Sequence, residues 1–406
     1  MLVILVPLGA QATAPQPGTV QDLELQLGAV RAYIARTDAA RRYIALSSVD
    51  MRAVINDGTN WLITSQEPSG HFTYEYAPFE GEYLHGDNIV RQVGALFALG
   101  EVYRLKKEYD PALAKSITQA IAYFTSLEVS GKEAGVTFVC IGTTAKKRDC
   151  KLGAAALALI GLLDYVEQNP RADKTYAPLI QGYTSFILAA QKESGGFRDL
   201  YRVEDGFVNR ESPYSNGEAL LALVRAYQYK KDEEVKHAID SAFTYLKTTE
   251  YVNPLYLWIM AALKDMNRLW PSSDYVTYAR DFTTWRIRNA GYPKSTHNYC
   301  PYVEGLVSAY SVLAANPEKG ELESLRAHID PWHAYHRTLQ LAATEPYRVM
   351  ANSKGTPIIQ KIADTALATG GFLTGPNVPT QRIDFTQHCV SAYLQTLVDI
   401  DGEVLR

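Results

Sequence analysis

Two kinds of helical stretch alternate along this chain. The first is small, rich in Ala and Leu, and apolar on most faces. It occurs six times, at Asn88–Arg104 (NIVRQVGALFALGEVYR), Leu152–Val166, Asn216–Tyr229, Pro254–Leu269, Tyr302–Ala315 and Thr386–Ile400. A helix apolar nearly all round is covered on both sides. The second kind is amphipathic and occupies Ser48–Gln66, Pro111–Leu127, Ala177–Gln191, Glu233–Lys247, Ser273–Arg288 and, less regularly, Leu322 to Ala343. Val235, Ala238, Ile239, Ala242, Phe243 and Leu246 show its helical spacing. Six covered helices alternating with six half-covered ones predict an all-α fold, an (α/α)6 toroid, with short β-hairpins or extended loops at one face. A linear solenoid keeps a fixed repeat length, and these intervals vary.

A second pattern sits between outer and inner helices. Residues 66–72 read QEPSGHF, residues 191–197 read QKESGGF, and residues 369–372 read TGGF without the Gln. Each ends an outer helix, turns at a Gly and starts an extended segment. This Q-x-x-x-G-x-aromatic spacing resembles the motif of terpenoid-cyclase-like toroids, and more loosely that of six-hairpin glycosidases and some polysaccharide lyases. The resemblance covers only short stretches. It implies the toroid and little about chemistry.

The toroid is expected over residues 21–406, with an extra helix at Gln21–Tyr43. Residues 1–20 read as a leader: Met1–Ala14 is apolar and ends in small residues, like the end of a secretory signal. That implies a secreted or periplasmic protein. No later apolar run is long enough for a membrane helix. Cys140 and Cys150 bracket a short loop and suit a disulfide in an oxidising compartment. The 406 residues are 47% apolar with a formal net charge of −4 and no long basic run. This argues against nucleic-acid binding by phosphate neutralisation.

In such a ring the inner helices start at one shared face, so polar residues near those starts converge on a central cavity. Before the first inner helix lie Glu75, Tyr76, Tyr83 and Asp87, followed by Asn88, Arg91 and Gln92. Arg91 needs a carboxylate, either Asp87 at i, i+4 or one on a substrate. The third inner helix brings Tyr214, Asn216 and Glu218, with Ser215 or Asn216 as cap and Glu218 in the first turn. The fifth brings His297, Tyr299 and Glu304, the last among apolar neighbours that raise a carboxyl pKa. The sixth brings Asp384 as cap candidate, Gln387 and His388. Matching Val390–Tyr393 to Val307–Tyr310 sets Gln387 level with Glu304.

These residues point to a carbohydrate-active enzyme, most simply a glycoside hydrolase with a carboxyl pair. Glu304 is the candidate acid and Asp87 or Glu218 the base, with His388 and Asp384 as further catalytic candidates. Glu75, Tyr76, Tyr83, Asn88, Arg91, Gln92, Tyr214, Asn216, His297, Tyr299 and Gln387 are the candidate substrate contacts. A uronate lyase or epimerase is the near alternative, with Arg91 as the neutralising cation and His388 or a Tyr as base. Cys300 with His388 and Cys389 resembles the zinc site of lanthionine-synthetase cyclases, with the His-Cys order reversed and the flanking Gly signatures missing. No cofactor is otherwise implied. A non-catalytic glycan-binding toroid needs only the aromatic residues. The Asp-rich terpenoid-cyclase motifs are absent, as are Walker A, G-x-G-x-x-G, G-x-S-x-G and H-E-x-x-H patterns.

Overall fold

The computed structural model describes residues 19–42, 46–133, 135–144, 148–290, 297–351 and 356–405. The proposed leader therefore falls almost wholly outside the described residues. The helices are α1 (Val20–Arg42), α2 (Ser48–Thr64), α3 (Ile89–Leu105), α4 (Pro111–Ser126), α5 (Leu152–Gln168), α6 (Asp173–Ala190) and α7 (Pro213–Tyr229). Then come α8 (Glu233–Leu246), α9 (Asn253–Leu269), α10 (Ser273–Arg288), α11 (Cys300–Leu313), α12 (Glu321–Arg337), the single turn α13 (Thr365–Ala368) and α14 (Ile383–Gln395).

Contacts close the ring: α3 packs on α5, then α7, α9, α11 and α14, and α14 returns to α3. Small residues make this tight circle possible. A Cβ added at Gly100 of α3 would sit 3.0 Å from the Gly161 carbonyl of α5, and one at Gly217 of α7 would sit 2.5 Å from Trp258 Cβ of α9. The amphipathic helices α2, α4, α6, α8, α10 and α12 form the outer layer. Val235, Ala238, Ile239, Ala242, Phe243 and Leu246 of α8 are all buried, as their spacing requires. The fold is thus an (α/α)6 toroid. The sixth pair departs from expectation: α12 stops at Arg337, and α14 ends at Gln395 in a π-turn, Thr396–Ile400.

Three corners share one design. The side-chain amides of Gln66, Gln191 and Gln340 each donate twice, to the carbonyl of the corner glycine (Gly70, Gly195, Gly370) and to a carbonyl on another outer helix (Ser116, Ala238, Val54). Each Gln also bridges to the Phe that ends its motif, Phe72, Phe197 or Phe372. The corner glycines adopt φ of 93°, 98° and 91°, where only glycine is unstrained. The sixth corner does contain its Gln. Gln340 supplies it from 30 residues before Gly370, across an insertion holding the hairpin Tyr347–Ala351/Pro357–Lys361, on which α1 packs.

Short strands precede the inner helices α3, α5, α7 and α14. Glu75–Ala77 pairs with Val378–Arg382 on one side and Glu82–Tyr83 on the other, stitching the first unit to the last. Cys140 and Cys150 form the expected disulfide. A second one, unforeseen, joins Cys300 of α11 to Cys389 of α14.

Candidate active site

Helix geometry identifies the side chains that face the ring axis. At the far end of the inner helices a small cavity of about 60 Å³ is lined by Phe97 and Glu101 of α3, Leu221 and Arg225 of α7, Ala261 and Asp265 of α9, Glu304 of α11 and Gln395 of α14. Stepping three or four residues toward the helix starts keeps to the same face. On α7 that step reaches Glu218 and then Tyr214, on α9 Trp258, and on α14 Ser391, His388 and Asp384. Phe97 and Trp258 come from opposite helices of the ring, and their rings meet edge to face at 5.8 Å. They cross the axis and divide a mouth, at the helix starts, from the far chamber.

Glu304 and His388 meet at this waist. His388 Nδ1 lies 2.8 Å from Glu304 Oε2, and its ring lies 6.0 Å from that of Trp258. Glu304 is 1% exposed at the side chain and His388 15%. With the Nδ1 proton donated to the carboxylate, Nε2 is left as a proton acceptor. The disulfide reinforces this pair, because Cys389 follows His388 and Cys300 sits one turn before Glu304. Asn298 braces the bridge, accepting from the Cys300 N–H at 2.9 Å and lying 3.3 Å from Cys389 Sγ. It was His388, not Gln387, that the axis selected. Adjacent helical residues diverge by about 100°, and Gln387 turns instead toward Gly94 of α3, whose missing Cβ makes room for it.

Glu218 is the second group of interest. It is 4% exposed, and burial pushes its carboxyl up to about 8. Among the described residues nothing hydrogen-bonds or ion-pairs with it. Its place depends on Gly153, since a Cβ there would lie 2.1 Å from Glu218 Oε2. Glu218 lies in the second turn of α7 rather than the first. The helix starts at Pro213 with Ser212 as cap, so neither Ser215 nor Asn216 caps it.

Several other sequence candidates have structural duties. Asp384 does not cap α14; Arg382 holds that position. Asp384 instead takes a bidentate grip from Arg382 (2.6 and 2.9 Å) and an ion pair from Arg91 (3.0 Å). Arg91 therefore pairs with Asp384 of the neighbouring α14, not with Asp87, and also donates to the Tyr74 hydroxyl. Asn88 caps α3. Gln92 clamps both backbone groups of Phe72, and Asn216 accepts from the Phe197 N–H at 2.8 Å. These two amides brace corners. Asp87 sits on the rim beside His71; burial pushes its pKa up, but bonding to His71 prevails and the net shift is downward. Glu75 accepts from Thr380 at 2.6 Å. Tyr76 is buried against Tyr83, while Tyr83 and Tyr214 are exposed at the mouth. The Tyr299 N–H donates to His336 Nε2 at 3.1 Å, and the His297 carbonyl accepts from the Tyr335 hydroxyl.

The zinc arrangement does not fit. Cys300 and Cys389 are bonded to each other, and His388 is turned to Glu304. Among the described residues no three His, Cys, Asp or Glu converge as metal ligands. Trp258 and Glu101 were missed by sequence reasoning. A charged residue inside a helix apolar all round, as at Glu101, is the signal that could have found the latter.

No family model and no curated relative matches this sequence. Solved structures do match. A family 76 glycoside hydrolase (mannosidase) from Bacteroides thetaiotaomicron superposes with a TM-score of 0.61 at 10% identity, over 87% of this chain and 100% of that one. The cellobiose 2-epimerase of Bacillus thermoamylovorans gives 0.57 at 13%, over 85% and 98%. An α-1,6-mannanase of Salegentibacter, inactivated at two successive aspartates and bound to α-1,6-mannotriose, gives 0.56 at 11%, over 85% and 98%. At such identities the likeness establishes the toroid fold. Among the described residues no helix is long and apolar enough to cross a membrane.

Proposed function

We propose that this chain is a carbohydrate-active enzyme that moves a proton on a sugar, as an isomerase or epimerase does. The observation that carries this reading is the Glu304–His388 pair at the ring axis. An imidazole oriented by a buried carboxylate is a general base. His388 Nε2 takes the proton from the carbon beside a sugar carbonyl. The C–H electron pair becomes the enediolate, and Glu218, protonated near neutrality, donates to the carbonyl oxygen. The resulting enediol collapses as Glu218 takes back a hydroxyl proton. If the intermediate turns over and His388 returns its proton to the other face of the same carbon, with Glu218 recovering the proton it gave, the epimer forms. If His388 protonates the former carbonyl carbon while Glu218 takes the proton of the neighbouring hydroxyl, the isomer forms. Fold likeness to a 2-epimerase supports the reading by analogy.

Hydrolysis is the second reading, and one observation favours it: a carboxyl raised to about 8, as at Glu218, suits protonation of a leaving oxygen. Its weakness is the partner carboxylate. Asp384 is held by two arginines, Asp87 by His71, and Glu304 by His388. The successive aspartates of the mannanase have no counterpart anywhere in the 406 residues. Two disulfides further support an exported protein.

The test is product analysis with D-mannose, cellobiose, α-1,6-mannotriose and a uronic-acid polysaccharide. A new isomer or epimer, lost in His388→Asn and in Glu218→Gln, is expected. New reducing ends from the mannotriose would replace this reading with hydrolysis. Ultraviolet absorbance from the uronate polymer would mean a lyase, and sugar binding without any product would mean a glycan-binding ring.

A further inference from the structure

The far chamber carries more acid than it can neutralise. Its wall presents five carboxyls, Glu101, Asp164, Asp265, Glu304 and Asp399, against four fixed cations, Arg104, Arg225, Lys264 and Arg268. Three of the carboxylates are paired: Asp164 with Arg104 and Arg225, Asp265 with Arg225 and Arg268, and Asp399 with Lys264 and Arg268. Glu101 and Glu304 are left over. Glu304 reaches through the waist to His388. Glu101 accepts from Gln395 Nε2 at 2.9 Å through one oxygen, and its other oxygen is buried without a partner. Two buried carboxyls on one small cavity do not ionise independently, because each charge penalises the other.

We propose that Glu101 is a positioning residue of the His388 site: it faces Glu304 across the far chamber, and its charge sets how firmly His388 holds a proton. This rests on the reading that His388 handles protons at the mouth. The groups facing Glu101 are Arg104 on its own helix, Arg225 on α7, Lys264 on α9, Glu304 on α11, and Ser391 and Gln395 on α14, with Asp399 beyond. Burial and the Glu304 charge push Glu101 up to about 7, against the pull of Lys264 and Arg104. Near neutrality Glu101 is therefore the carboxyl that changes state. When it is charged, two carboxylates lie behind His388 and favour the imidazolium. When it is neutral only one does, and His388 releases its proton more readily.

The experiment follows the His388 Cε1–H resonance through a pH titration in wild type and Glu101→Gln, which keeps the volume and the acceptor for Gln395. Wild type should titrate in two steps or over a broadened range. The variant should give one simple step with its midpoint lowered by about one pH unit. In wild type the Glu101 carboxyl carbon should shift near neutrality, in step with His388. Superimposable His388 curves in the two proteins, or a Glu101 carbon that titrates once near pH 4.5, would overturn the proposal. No substrate is needed, so failure here leaves the proposed reaction standing. Conversely, a His388→Asn protein that retained full activity would end the proposed reaction without touching the coupling.

Discussion

The six inner helices are built alike, yet their two ends are finished differently. At the far end the fixed charges interlock: Arg225 alone bridges Asp164 and Asp265, and Asp399 holds Lys264 and Arg268. At the mouth the amides of Asn88, Gln92 and Asn216 are used locally, while among the described residues Glu218 has no partner and His388 keeps one nitrogen open. A buried charge whose partners are all present holds the ring together. A buried ionisable group without a partner is unfavourable for folding and is where chemistry is concentrated.

The comparison can be broken first at the far end. Arg225→Met leaves Asp164 and Asp265 buried with fewer counter-charges, and denaturant unfolding should show a loss of about 4 kcal/mol. A loss below about 1 kcal/mol would mean that the network does not hold the ring. At the mouth, Glu218→Gln should do the reverse, and only above about pH 4.5. The folded pKa of about 8 lies above the unfolded value. Folding therefore retains a proton that the unfolded chain loses, and wild type weakens as pH rises from about 4.5 to 8. The variant should be more stable than wild type by about 4 kcal/mol at pH 8, with no difference at pH 4.

His333 gives the opposite slope. It is buried on α12 beside Thr396, and burial lowers its pKa to about 3. The unfolded chain takes up a proton below pH 6.5 that the folded one refuses, so stability is lost on acidification. Thermal unfolding of His333→Gln should lack about 3 kcal/mol of the loss that wild type shows between pH 7 and 4.5. The corners lie outside this contrast and should respond at no particular pH. In Gly195→Ala a Cβ would sit 2.3 Å from the Ser241 carbonyl oxygen, at a positive φ, costing about 2 kcal/mol throughout.

What the sequence disclosed follows from the range of the interactions involved. Helix period and apolarity are local, so both layers and the ring were legible. So were the corners at Gln66 and Gln191. At the sixth the glycine turn was legible but its Gln was not, because Gln340 and Gly370 meet only after the chain loops out between them. The Cys300–Cys389 bridge, the Arg91–Asp384 pair and the Glu304–His388 pair all join residues more than 80 positions apart, across helices whose rotation the sequence does not specify. Glu304 was found because a carboxylate among apolar neighbours is itself a signal, and Glu218 because it follows the start of an inner helix. Glu101, Asp164 and Asp265 carry the same signal near the helix ends, but attention to the helix starts passed over them.

The most direct test of the account is deuterium uptake. D-mannose and cellobiose are incubated with the protein in D2O, and the signal of the hydrogen at C2 is followed by NMR. The account predicts loss of that signal with wild type, on at least one of the two sugars, and none with His388→Asn. Uptake that persists undiminished in His388→Asn, or hydrolysis of α-1,6-mannotriose by a protein that exchanges no hydrogen on either sugar, would contradict it.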